Sequence, residues 1–149
     1  MSWDFGFWDV RTGLTTNTQR DQYILVDNNK PLRVTLVWTD KEASCITASC
    51  QTLPKLVNDL DLVVIAPNGQ RYNGNDVTAP YDDTRDNRNN VERVEIQNPQ
   101  PGPYTLRVRG FNIPLGTQDY ALVASYDNIL YTAIPVGLVS LCMENGQPC

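Results

Sequence analysis

Apolar and polar residues alternate in short runs along the chain: 22–26 (QYILV), 32–38 (LRVTLVW), 61–65 (DLVVI), 91–96 (VERVEI), 104–109 (YTLRVR) and 120–126 (YALVASY). Successive side chains of a β-strand point to opposite faces, so a period of two gives each run one face for a core. Leu32, Val34, Leu36 and Trp38 make one such face; Tyr104, Leu106 and Val108 make another. Between the runs lie Asp27-Asn28-Asn29, Pro67-Asn68-Gly69, Asn73-Gly74-Asn75 and Pro101-Gly102-Pro103. Gly and Asn tolerate positive φ, and Pro fixes φ and lacks a donor, so each cluster ends a strand and turns the chain. No segment joins a helical period to a cap. Many short strands separated by turns predict an all-β chain, an antiparallel jelly-roll β-sandwich or barrel of about eight strands.

The 149 residues suit one domain with one core. Residues 1–8 (MSWDFGFW) are aromatic without visible alternation and are expected to be an N-terminal segment or linker. Residues 9–127 are expected to form the jelly-roll domain. Residues 128–149 are expected to be a C-terminal extension, apolar over 129–141 but broken by Pro135 and Gly137.

Charge narrows the partners. With 17 acidic and 12 basic residues the net charge is -5, and many acids crowd between Asp59 and Glu95, so no basic stripe awaits nucleic acid. No apolar run nears the roughly 18 residues of a membrane-spanning helix, so no membrane partner is expected. The first residues lack the regions of a signal peptide, so either the chain is cytosolic or its targeting segment lies elsewhere. Four cysteines allow three pairings. Local pairing of Cys45 with Cys50 and of Cys142 with Cys149 is expected, because each pair brackets a polar loop that a crosslink would brace. Zinc is disfavoured, because the sequence has no histidine and the cysteine spacing is too wide. Disulfides favour an oxidising, extracellular setting.

The stretch 56–92 concentrates Asp and Asn in loops around a strand. Clustered carboxylates repel one another, and a hard cation such as calcium, which takes about 6 to 8 oxygen ligands in flexible sets, would hold them together. Period two places Asp59 and Asp61 on one strand face and Leu60 and Leu62 on the other. Asp40, ending the run that starts at Leu32, is a further candidate from a neighbouring strand. In the loop, Asp82, Asp83 and Asp86 are the candidate ligands, with Asn90 and Glu92 reaching toward Asp59 and Asp61. The loop's spacing is not that of an EF-hand. The plainer alternative is a solvated loop in which Arg85 and Arg88 neutralise nearby acids, each exposed pair worth under about 1 kcal/mol. Asn73-Gly74-Asn75-Asp76 is either a further source of ligands or a simple hairpin turn.

Taken together, LVNDLDLVVIAPNG, YNGND, DNRNNVERVEI and PGPYTLRVRGFNIPLGTQDYALVASYD resemble the C-terminal jelly-roll β-barrel domain of secreted subtilisin-like serine proteases, and more distantly the P-domain of kexin-like convertases. The likeness covers about residues 9–127; the insert at 45–50 and the tail beyond Tyr126 depart from it. It implies a non-catalytic appendage that binds structural calcium. Such an appendage packs on a subtilisin-like catalytic domain of the same polypeptide and supports stability, folding or the handling of protein substrate. The chain agrees in having no histidine to serve a Ser-His-Asp triad, and no G-x-S-x-G elbow. A carbohydrate-binding module is the rival reading; it calls for rings in an exposed row, for which Tyr72, Tyr81 and Tyr131 are the candidates outside the core strands.

Overall fold

The computed structural model describes residues 4–44, 53–128, 143–144 and 147–148. Among them lie eight strands in two antiparallel sheets of four, and no helix. The strands are β1 (Asp4–Leu14), β2 (Gln19–Val26), β3 (Leu32–Val37), β4 (Asp59–Ile65), β5 (Arg71–Asn73), β6 (Val91–Ile96), β7 (Gly102–Asn112) and β8 (Gln118–Tyr126). A separate two-stranded ribbon pairs β9 (Met143–Glu144) with β10 (Gln147–Pro148).

The sheets run β1-β8-β3-β6 and β2-β7-β4-β5. Strands pair first with last: β1 with β8, β2 with β7, β3 with β6 and β4 with β5. The contacts β3·β8 and β4·β7 then join these rungs within each sheet. This is the winding of a jelly roll, as the alternation predicts.

Between the sheets the inward side chains close a single core that includes Leu32, Val34, Leu36, Leu60, Leu62, Val64, Leu106, Val108, Leu122 and Tyr104. Each fully buried aliphatic side chain is worth about 1.5–3 kcal/mol. Trp38 closes one end, its indole N–H donating to the Asn58 carbonyl at 3.0 Å.

The N-terminal segment differs from expectation. Residues 4–8 belong to β1, with Asp4 opposite Tyr126 and Trp8 opposite Leu122. Val10 is buried and Trp8 packs on the core, whereas Phe5 and Phe7 project to solvent. Large apolar groups on both faces of one strand erase the contrast on which a period of two depends. The four cysteines lie outside the described residues, as do Trp3 and Tyr131.

Candidate functional site

Strand β4 is buried on both faces. Leu60, Leu62 and Val64 enter the core, while Asp59 and Asp61 share the opposite face, yet only 7% and 6% of their surfaces are exposed. The connection between β5 and β6 carries the group that meets them. One guanidinium nitrogen of Arg85, Nη1, donates to Asp59 Oδ2 at 2.6 Å and to Asp61 Oδ1 at 3.0 Å. The guanidinium also lies 3.6 Å from the centre of the Phe111 ring, a cation–π arrangement at the end of β7.

Glu92 approaches from the other sheet. It is in phase with Val94 and Ile96 on β6 and points inward with them. Its Oε2 accepts from the Leu62 backbone N–H at 2.6 Å, linking β6 to β4 across the open side of the roll. Gly74 makes room for this contact: a Cβ there would collide with the Glu92 carboxylate. Two carboxylate oxygens of the cluster, Asp59 Oδ1 and Glu92 Oε1, are buried without a hydrogen-bond partner. A cavity of about 250 Å³ is lined by Asp61, Glu92, Asp86 and Gly74, together with the arginines Arg71, Arg85, Arg107 and Arg109.

Burial dominates the electrostatics. It pushes the Glu92 carboxyl up to about 9, against the pull of the Leu62 hydrogen bond, and Asp61 up to about 6, against Arg85. Asp59 is raised by burial as well, again against Arg85. Burial pulls Arg85 down, but its hydrogen bonds to Asp59 and Asp61 outweigh this and hold it above its ordinary value. Arg85 thus stays charged, while burial outweighs its pull on Asp59 and Asp61 and favours their protonated forms where water is scarce.

The other expected ligands have different roles. Asp40 receives the backbone N–H groups of Val57 and Asn58, each at 2.8 Å, and so pins the segment that leads into β4. Asp86 lines the cavity but spends its oxygens on the loop, accepting from the N–H groups of Arg88 and Asn89 and from the amides of Asn75 and Asn89. Those hydrogen bonds hold its carboxyl below the usual range despite burial. Asp76 accepts from Thr78 and Thr84 N–H and orders the turn after Gly74. Asn90 donates to the Trp38 carbonyl at 2.9 Å and extends the β3·β6 pairing. Asp82 and Asp83 are exposed and make none of the contacts that join the loop to β4. Among the described residues, no three acidic side chains converge tightly enough to form a metal centre as they stand.

Sequence reasoning anticipates the shared face of Asp59 and Asp61 and the approach of Glu92. Its plainer alternative has Arg85 neutralise nearby acids in a solvated loop, whereas Arg85 pairs with the strand acids Asp59 and Asp61. Phe111, and the buried amides Asn58 and Gln118 beside the site, carry no local signal. Asn58 Nδ2 donates to Gln118 Oε1 and to the Leu115 carbonyl, both at 3.0 Å. Tyr72 and Tyr81 stack on one another, centroids 5.6 Å apart, and do not form a row of open ring faces.

A family model described as the bacterial pre-peptidase C-terminal domain matches residues 23–110, more than half of the chain. A curated protein of Dictyostelium discoideum, named serine protease/ABC transporter B family protein tagA, is 33% identical over 104 residues. That alignment covers 66% of this chain and 6% of the relative, so the chain spans a small part of the relative's length.

Proposed function

Since the chain belongs to the bacterial pre-peptidase C-terminal domain family, non-catalytic domains found at the C-terminus of secreted proteases, we propose that it is a calcium-stabilised accessory domain of an extracellular subtilisin-like serine protease. It packs against the catalytic domain of the same polypeptide and supports that domain's stability, its folding or its engagement of protein substrate. The name of the Dictyostelium relative, which includes serine protease, supports the parent class. The lack of histidine assigns any Ser-His-Asp triad to another part of the parent. The local pairings of Cys45 with Cys50 and of Cys142 with Cys149 belong to the same proposal.

The calcium part rests on one observation. Asp59 Oδ1 and Glu92 Oε1 are buried oxygens without partners, and leaving such groups unsatisfied is costly. Asp61 and Glu92, which line the cavity, and the neighbouring Asp59 would hold the ion, with Asp86 lining the same cavity. Bound calcium would supply positive charge to these oxygens and draw them into one coordination shell. Binding to the folded state alone adds about 2.7 kcal/mol at a hundredfold excess over Kd.

Thermal unfolding in a calcium series against EDTA tests this. A melting temperature that climbs with calcium supports the reading; one that is the same in calcium and in EDTA removes calcium from it. Deleting the domain from its parent tests the rest, with a shortened active half-life as the expected result.

A further inference from the structure

The Nη1 of Arg85 lies within 3.0 Å of both Asp59 and Asp61, between the two carboxylates that best suit a cation. Beside it, Glu92 is 1% exposed, lines the same cavity and keeps Oε1 unpartnered. A positive group and a metal ion cannot both fill the space between two carboxylates. We propose that Arg85 is the resident cation of this site, and that calcium binds by displacing its side chain. This rests on the calcium reading given above and adds to it a competitor encoded in the chain.

The anchoring of the loop lets the side chain leave without disordering its own segment. On one side of Arg85, Thr84 donates its N–H to Asp76 and accepts from the Asn73 amide at 2.8 Å. On the other side, Asp86 is fixed by Asn75 and Asn89. None of these bonds involves the Arg85 side chain. The guanidinium can therefore rotate into solvent, to which the side chain is already 32% exposed, while the loop keeps its course. Only the two ion pairs and the stacking on Phe111 are given up. Fold stability without metal and affinity for metal then oppose each other at one residue, because a site whose competent state is only partly populated binds with proportionately weaker apparent affinity.

The test compares wild type with Arg85→Gln, using calorimetric titration with calcium chloride and thermal unfolding in EDTA. Gln cannot supply the charge, so the variant is expected to bind calcium at least tenfold more tightly and to melt at a lower temperature in EDTA. Phe111→Leu weakens the hold on the guanidinium without touching a carboxylate. It keeps the test decisive if Arg85→Gln fails to fold, with affinity expected to rise several-fold. Equal calcium affinity in wild type and both variants overturns the displacement proposal and leaves the calcium reading standing. No calcium uptake by any of the three, with folded protein throughout, overturns both.

Discussion

Glu92 and Leu62 lie on different sheets and are joined by one hydrogen bond of 2.6 Å from a backbone N–H to a buried carboxylate. With its pKa pushed up to about 9 by burial, the folded state holds a proton that the unfolded chain releases near its ordinary value. A raised pKa contributes stability that is complete below the unfolded value and is lost as pH rises toward 9. In EDTA, stability is expected to fall across pH 5–9, by up to about 1.4 kcal/mol per unit where only the folded state is protonated. Glu92→Gln should flatten that limb, as urea unfolding at several pH values would reveal. A wild-type profile that is already flat would contradict the assignment.

Gly74→Ala is a steric test of the same bond. The added methyl would meet the Glu92 carboxylate and drive it off Leu62, leaving a buried N–H unpaired at a cost of about 1–3 kcal/mol. In a double-mutant cycle, Glu92→Gln and Gly74→Ala should depart from additivity, since both act on one contact.

Arg107 and Asp21 form a two-pronged pair across β2 and β7, both bonds at 2.9 Å. Hydrogen bonding to Arg107 holds Asp21 below its usual range. A lowered pKa acts in the opposite sense: its contribution is present above about pH 4 and disappears as pH falls through the folded value. Asp21→Asn is expected to cost about 1 kcal/mol at neutral pH, the pair being only partly shielded, and almost nothing near pH 2. An equal loss at both pH values would assign the effect to packing instead.

Asn58 is fully buried, and its side-chain amide serves Leu115 and Gln118 at once. Asn58→Leu would strand those partners inside the protein and should destabilise by about 2–4 kcal/mol. Phe7→Ser, on the open face of β1 at 65% exposure, should change stability by under about 0.5 kcal/mol. Chemical denaturation of both variants separates the two classes, and a large loss for Phe7→Ser would reveal a covering contact.

The fold is legible wherever one strand face is apolar and the other is not. The runs at 32–38 and 120–126 meet that condition and emerge as β3 and β8 nearly at their observed limits. β1 does not, since Phe5 and Phe7 take its solvent face, and β5 at Arg71–Asn73 is too short to show a period. In the site, the spacing of Asp59 and Asp61 fixes their common side. The phase of Glu92 with Val94 and Ile96 marks an acid turned toward the core. The placement of Arg85 has no such signature, because a loop without periodicity does not reveal which way a side chain turns. Its position is decided by distant residues, Phe111 and the strand acids, which only the finished fold brings near.

The first-with-last pairing of the strands has a kinetic corollary. Among these four pairs only β4·β5 is closed by a short connection; each further rung, β3·β6, then β2·β7, then β1·β8, closes a longer loop. Non-local pairings of this kind are slow to form. During synthesis the outermost rung has no partner until Gln118–Tyr126 has emerged, so β1, with its two exposed phenylalanines, waits unpaired for nearly the whole length of the domain. The unfinished domain is then most open to aggregation or chaperone capture at this strand, and assembly should proceed from the β4–β5 hairpin outward, the way a folded ribbon is rolled.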